Sequence, residues 1–116
     1  MLTLLVFTDG RMGCLARAIA SAEMNLIGDF AVRRIINDEP GNDQVLKEAY
    51  GHLGYEVRSN TERLGFCGTI DHAWSELPDD CSYIFALEDD FTFNERIVVA
   101  DLMEVLEENP QLAQMA

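Results

Sequence analysis

Basic residues are scarce in this chain of 116 amino acids, which has 8 Lys and Arg against 21 Asp and Glu and a formal charge of −13. A field of this sign repels phosphate backbones and anionic lipid, so we expect no nucleic-acid partner and no binding to a charged membrane surface. The field does not oppose a small phosphate-bearing ligand that arrives with a divalent cation, because the cation reverses the local charge.

Cysteines and long apolar runs are also scarce. The three cysteines, Cys14, Cys67 and Cys81, are widely spaced and form no C-x-x-C pair, so they predict neither a disulfide framework nor a zinc site. Three free thiols are typical of a reducing compartment, and we expect a cytoplasmic protein. The apolar run at 2–7 is too short for a bilayer and lacks a preceding basic segment, so we expect no membrane span and no cleaved signal.

Apolar runs of strand length alternate with helical patterns along the chain. Strands are predicted at 2–7, 30–37, 55–59 and 82–87, where apolar and β-branched residues are concentrated. The helical patterns have apolar residues three and four positions apart: Leu15, Ala18, Ile19 and Ala22; Leu46, Ala49, Tyr50 and Leu53; Ile70, Ala73, Trp74 and Leu77; Val98, Leu102, Val105 and Leu106. This alternation predicts an α/β fold with a mostly parallel sheet covered on both faces.

Capping residues mark the expected ends of the helices. Asn42 or Asp43 is expected to cap the second helix and Gly54 to close it, while Asn94 is expected to cap the fourth. The residues at 111–116 look like the start of a further strand. We therefore expect this chain to be the front portion of a larger unit, whose cut sheet would expose apolar edges and favour a homo-oligomer.

Short polar clusters follow three of the four predicted strands, at the point where each strand ends. These clusters are Thr8-Asp9, Asn37-Asp38 and Glu88-Asp89-Asp90. Ligands of open parallel sheets gather at the carboxyl ends of the strands. We therefore expect the three clusters to converge on one edge of the sheet.

The third cluster places three acids directly after an apolar strand. In extended geometry Glu88 and Asp90 point to one side and Asp89 points to the other. Hard cations such as Mg²⁺ and Mn²⁺ prefer carboxylate oxygens and often take only one or two from the protein. The pattern favours a metal and phosphate site over a solvated acidic turn, because a buried strand and two other polar strand ends accompany it.

Four stretches of the chain, in order, are VFTDGRMGCLARAI, RRIINDEPGND, ERLGFCGTIDHAW and YIFALEDDFTF. They resemble the nucleotide-binding half of GT-A glycosyltransferases, most of all the large family 2 group. The family has a T-x-N-R-like loop, an acidic pair, an N-x-G loop and a D-x-D metal motif at these places. The resemblance implies a Rossmann-like fold, with 1–116 forming a single nucleotide-sugar-binding domain that is an incomplete GT-A domain without its acceptor-binding part.

The resemblance also implies a ligand and a set of roles. The ligand would be a nucleotide sugar, with a UDP-sugar favoured over a GDP-sugar, bound through Mn²⁺ or Mg²⁺ and transferred to the hydroxyl of an unknown acceptor. Asp38 would accept from the base edge and Glu88 would lie near the ribose, while Arg11 would hold the base or the phosphates. The implied nucleotide-binding residues are Thr8, Asp9, Arg11, Asp38, Glu88 and Asp89, and the implied metal ligand is Asp90.

The chain departs from the family pattern at three positions. Glu88 replaces the first Asp of the metal motif, Asn37 replaces the first acid of the pair, and Arg63 stands where the N-x-G loop has Asn. In the family the catalytic base lies downstream of the segment that this chain covers, and in inverting members it is an Asp or Glu acting as a general base. No catalytic residue is therefore assigned here.

Other classes of protein share parts of this pattern. A non-catalytic or truncated sugar-nucleotide-binding module would show every feature described above. A haloacid-dehalogenase-type phosphatase has D-x-D-x-T after an apolar strand, but Glu88 would replace its nucleophilic Asp. A receiver domain needs an acidic pair after the first strand and a Lys after the fifth, whereas this chain has only Asp9 and, within a predicted helix, Lys47.

Overall fold

The computed structural model describes residues 1–115, which form four helices, one short 3₁₀ turn and six strands. The strands are β1 (Leu2–Thr8), β2 (Leu26–Ile27), β3 (Phe30–Asn37), β4 (Tyr55–Ser59), β5 (Tyr83–Glu88) and β6 (Ile97–Val98). The helices are α1 (Met12–Asn25), α2 (Asp43–Tyr50), α3 (Gly65–Ser75) and α4 (Val99–Glu108), and the 3₁₀ turn is Gly51–Leu53.

The main sheet has four strands in the order β4-β3-β1-β5, and every neighbouring pair is parallel. The predicted α/β fold with a mostly parallel sheet is therefore confirmed. β1 lies inside this sheet, and all seven of its residues are buried, which explains why its sequence is predominantly apolar and lacks a strict alternation of apolar and polar residues.

The two faces of the sheet bury different sets of side chains. Leu4 and Val6 of β1 pack with Leu15 and Ile19 of α1, in a cluster that also includes residues of α2. Leu5 and Phe7, which point to the opposite face, pack with Ala73 and other residues of α3. Because side chains alternate along a strand, α1 and α2 cover one face and α3 covers the other, so the prediction that both faces are covered is confirmed.

The fourth helix begins later than the sequence predicts. Asn94 does not cap it, because the chain stays non-helical through Arg96 and α4 starts at Val99. Ser21 of α1 accepts a hydrogen bond from the Phe93 N–H at 2.6 Å and donates one to its carbonyl at 3.2 Å. This tether holds the segment against α1, and the following residues form the two-residue strand β6, which pairs with β2.

The remaining helix ends agree with the sequence in part. Asn42 occupies the position before α2, but its side chain caps nothing because it accepts a hydrogen bond from Asn37 instead. Gly54 closes the 3₁₀ turn after α2 with φ of +87°, a conformation that suits glycine. None of the helices within 1–115 is long and apolar enough to cross a membrane.

The expected strand at 111–116 is wrong for the residues that the structure describes. After α4 the chain turns through a hydrogen bond from the Leu112 N–H to the Asn109 carbonyl at 2.9 Å. Residues 112–115 have no strand partner in the described part of the chain. Ala116 lies outside the described residues.

Candidate functional site

Strand order places a crevice beside the end of β1. Counted along the chain, the four strands of the main sheet have the order 3-2-1-4, so the sheet grows outward from β1 in both directions. In such sheets ligands bind beyond the carboxyl ends of the strands, where the order reverses. That point lies between β1 and β5.

The strand order also argues against a receiver domain. Receiver domains have the flavodoxin-like order, which starts 2-1-3-4, whereas this sheet has the order 3-2-1-4.

The strands end almost level with one another. Thr8 lies opposite Asn37 across the β1–β3 pair, and Phe7 lies opposite Glu88 across the β1–β5 pair. The polar residues that follow these strands therefore meet at one edge of the sheet. The predicted convergence of the three clusters is confirmed.

An open pocket of about 290 Å³ occupies this edge. Its walls come from the ends of β1, β3 and β5 and from the start of α3. The lining residues are Phe7, Thr8, Asp9, Arg11, Asp38, Arg63, Gly65, Phe66, Thr69, Glu88, Asp89 and Asp90. All seven residues that the sequence nominates as nucleotide or metal contacts are among them.

Asp89 is the most enclosed acid of the pocket, with 3% of its surface exposed. One of its oxygens accepts a hydrogen bond from the Thr8 hydroxyl at 2.8 Å, and the other accepts one from the Arg11 guanidinium at 2.6 Å. The Asp89 carboxylate, followed by that of Asp9, raises the pKa of Arg11. Arg11 is thus a permanent cation that bridges the two acids at the mouth of the pocket.

The extended geometry from which the sequence predicts the orientations of Glu88, Asp89 and Asp90 ends at Glu88. β5 ends at Glu88, and the chain then turns through a hydrogen bond from the Phe91 N–H to the Glu88 carbonyl at 3.2 Å. The alternation of side chains applies only to extended backbone. The turn therefore brings Glu88, Asp89 and Asp90 all to the pocket.

Glu88 and Asp90 differ from Asp89 in that no arginine neutralises them. The ion pairs found in residues 1–115 leave both without a cationic partner. Glu88 is half-buried and Asp90 is exposed to solvent. Their oxygens are therefore the free acceptors on the β5 side of the pocket.

The carboxylates of the pocket suit a metal ion that takes only part of its ligands from the protein. Over the described residues there is no group of three or more His, Cys, Asp or Glu side chains that could hold an ion on its own, and Asp89 is already engaged. Glu88 and Asp90 do fit a hard cation that takes one or two protein carboxylates and fills its shell with phosphate oxygens and waters. The residues therefore fit Mg²⁺ or Mn²⁺ arriving with a phosphate ligand.

Asp38, at the end of β3, organises the loop that leads into α3. Its carboxylate accepts hydrogen bonds from the Leu64 N–H at 2.8 Å, the Gly65 N–H at 3.0 Å and the Asn60 side chain at 2.8 Å. Burial would raise the pKa of Asp38, but these hydrogen bonds together outweigh it and hold that pKa below its ordinary value. The contact with a nucleobase that the resemblance implies stays a prediction. The carboxylate already accepts three hydrogen bonds, so few of its lone pairs are left for a base.

Asn37, where the family has an acid, is fully buried. Its amide nitrogen, which has two hydrogens to donate, lies within hydrogen-bonding distance of three acceptors: the Glu39 carbonyl at 2.9 Å, the Asn42 side chain at 2.6 Å and the Ser59 hydroxyl at 3.0 Å. A carboxylate has no hydrogens to donate to these acceptors. The surroundings of residue 37 therefore favour an amide over an acid.

Five lining residues escaped the sequence assignment, and two of them, Arg63 and Phe66, have exposed side chains. Arg63 reaches across the rim and donates to the Glu39 carboxylate and, at 3.4 Å, to the Asp9 carbonyl. Phe66 presents its ring at the start of α3 with 57% of its surface exposed. The sequence offers one indication of their role. Both residues lie in the stretch that resembles the N-x-G loop of GT-A glycosyltransferases, where Arg63 replaces the Asn.

The comparisons with known proteins add no relative: no protein-family model matches the chain, and no curated protein matches it significantly. The resemblance to GT-A glycosyltransferases therefore stays a prediction. What bears on function is the arrangement of side chains at the carboxyl edge of the sheet.

Proposed function

We propose that this chain is the donor-binding portion of a glycosyltransferase of GT-A type. It binds a nucleoside-diphosphate sugar together with Mn²⁺ or Mg²⁺, and the sugar passes to an acceptor hydroxyl. The favoured ligand is a UDP-sugar, and a GDP-sugar is the second choice.

One observation supports this proposal above the others. Residues that follow β1, β3 and β5 line a single pocket at the point where the strand order reverses. That position is where open parallel sheets bind nucleotides. The pocket also combines free carboxylates with arginines, which are the groups needed for a cation and for phosphates.

The acids on the β5 side would hold the cation. Asp90 is the proposed metal ligand because it is exposed and has no cationic partner in the described residues. Glu88, which is half-buried beside it, would contact the ribose or share the cation. The bound cation would supply Lewis-acid neutralisation of the charge on the departing diphosphate.

The network of Thr8, Arg11 and Asp89 would shape the phosphate end of the pocket. Asp89 already has a cationic partner in Arg11, so it does not add an uncompensated charge that would repel phosphate. Arg11 is about half exposed and can offer its remaining N–H groups to the ligand. The residues thus bind and orient the donor, and no residue of this chain is proposed as the catalytic base.

Calorimetric titration with UDP and with GDP, each with and without Mn²⁺, tests the proposal. We expect binding that requires the cation and that is abolished in Asp90→Ala. Asp80→Ala is the matched control, because Asp80 is an exposed acid before the opposite end of the same strand. It removes the same charge from the protein without touching the pocket.

Two outcomes would contradict the proposal. Wild-type protein that binds neither nucleotide in the presence of Mn²⁺ lacks the donor site altogether. Binding that is independent of the cation and of Asp90 would place the nucleotide elsewhere. A non-catalytic module makes the same contacts, so transfer of sugar from a labelled UDP-sugar, to water or to an acceptor, is the measurement that separates it from an enzyme.

A further inference from the structure

We infer that Phe66 forms the nucleobase end of the donor pocket, with its ring stacked on the base. The inference rests on the proposed function and deepens it, because it names the residue that would distinguish a nucleoside diphosphate from a bare diphosphate. It uses a residue outside the set that the sequence nominates.

The exposure of Phe66 is the first observation. Phe66 lines the pocket while 57% of its surface is open to solvent, so a site that holds five acids and two arginines also has an aromatic residue in its lining. Phe7 and Thr69 also line the pocket. Every nucleobase has an apolar face that stacks on such a ring, and stacking tolerates differences between bases.

The backbone beneath Phe66 is held in place although the ring is open. Asp38 accepts hydrogen bonds from the N–H groups of Leu64 and Gly65, the two residues before it. Gly65 has φ of +76°, a conformation that other residues adopt only with strain. The direction in which the chain presents Phe66 is thus set before a ligand arrives, which reduces the entropy lost on binding.

The position of Phe66 relative to the acids is the third observation. Phe66 follows the loop that Asp38 anchors to the end of β3, whereas Asp90 follows β5. β1 lies between these strands, so the ends of β3 and β5, from which these two segments continue, are two strand spacings apart, or about 10 Å. A diphosphate near Asp90 would leave its nucleoside extending toward Phe66.

The test compares two probes, UDP with Mn²⁺ and inorganic pyrophosphate with Mn²⁺, by calorimetric titration. In Phe66→Ala we expect the affinity for UDP to fall roughly 5- to 150-fold, the range that corresponds to the loss of one stacked base. The affinity for pyrophosphate should be unchanged, because it has no base. Phe66→Tyr keeps an aromatic face and should bind UDP like the wild type.

Phe91→Ala is the matched control. Phe91 is also an exposed phenylalanine, with 55% of its surface open, and it follows Asp90 directly without lining the pocket. Its removal should change neither affinity. Because both rings are exposed, thermal unfolding of the two variants should stay close to that of the wild type, which separates a binding effect from a folding defect.

The inference is overturned if Phe66→Ala binds UDP as tightly as the wild type, or if it loses UDP and pyrophosphate equally. The first result would leave the ring outside the base site, and the second would mean that it shapes the phosphate end. Both results require that the wild-type protein binds UDP. If the wild-type protein binds no nucleoside diphosphate, the proposed function itself is wrong.

Discussion

Thr8 and Asp89, 81 positions apart in the chain, are joined by a buried hydrogen bond of 2.8 Å. The Thr8 hydroxyl donates to Asp89 and accepts from the Gly10 N–H at 3.2 Å. The bond connects the end of β1 to the turn after β5, so it fixes these two parts of the pocket relative to each other. Its loss should affect stability and ligand binding together.

Replacing Thr8 with Val removes this hydroxyl at nearly constant volume. We expect the free energy of unfolding to fall by about 1–3 kcal/mol, because a buried carboxylate oxygen and a backbone N–H lose a partner. Urea denaturation measures the change. Thr8→Ser should recover most of it, and Thr92→Val, at an exposed threonine, should have little effect. An unchanged midpoint in Thr8→Val would contradict this role.

Asp38 should make stability depend on pH. Hydrogen bonds outweigh its burial and lower its pKa, so the folded state favours the carboxylate and gains stability above the unfolded pKa of about 4. This gain is lost as the pH falls through the lowered value.

We therefore expect the difference in unfolding free energy between wild type and Asp38→Asn to be largest near neutral pH and to shrink below about pH 4. Denaturant titrations between pH 7 and pH 3 measure it. Asp79→Asn, at an exposed acid, provides the control. A difference that is independent of pH would mean that the ionised form of Asp38 is not the one that stabilises the loop.

Replacing Asn37 with Asp would place at this position the acid that GT-A glycosyltransferases have, and it should damage the fold. The three acceptors around the amide nitrogen would face a buried charge with no hydrogens to donate. We expect a loss of about 3 kcal/mol or more in unfolding free energy. Asn94→Asp, at an exposed position, should change it little. A stable Asn37→Asp protein would show that the site adapts to an acid.

Gly10 and Gly51 make a matched pair for substitution by Ala. Gly10 has φ of +105°, and a Cβ there would lie 2.9 Å from Cβ of Glu39, so we expect Gly10→Ala to lose more than about 1 kcal/mol. A shifted loop should also weaken binding of UDP with Mn²⁺. Gly51 has φ of −58°, and a Cβ added to it would meet no atom within 4 Å.

Gly51→Ala should therefore be neutral or stabilising by about 0.4–1 kcal/mol, because it restricts the unfolded chain. Thermal unfolding of both variants checks the pair. Equal effects at the two glycines would contradict the close approach of the Gly10 loop to Glu39.

The sequence predicted the main strands and most of the helices because each has a local signature. β1 is a run of seven buried residues, and α1 buries the four apolar positions that its spacing predicts, Leu15, Ala18, Ile19 and Ala22. The sequence predicts a start of the fourth helix after Asn94, which is too early. Hydrogen bonds between Phe93 and α1 override the capping preference of Asn94. Such contacts are distant in sequence and leave no local pattern.

The sequence by itself determined that polar residues stand at the ends of parallel strands, and its resemblance to GT-A glycosyltransferases nominated seven residues that line the pocket. Only the tertiary structure decided which of these side chains are already bonded to other residues and which are open to a ligand. Asp89 and Asp90 are neighbours of the same type, yet one is enclosed by Thr8 and Arg11 while the other is open to solvent. The difference depends on strand order, because β1 and β5 become adjacent only when the sheet is assembled.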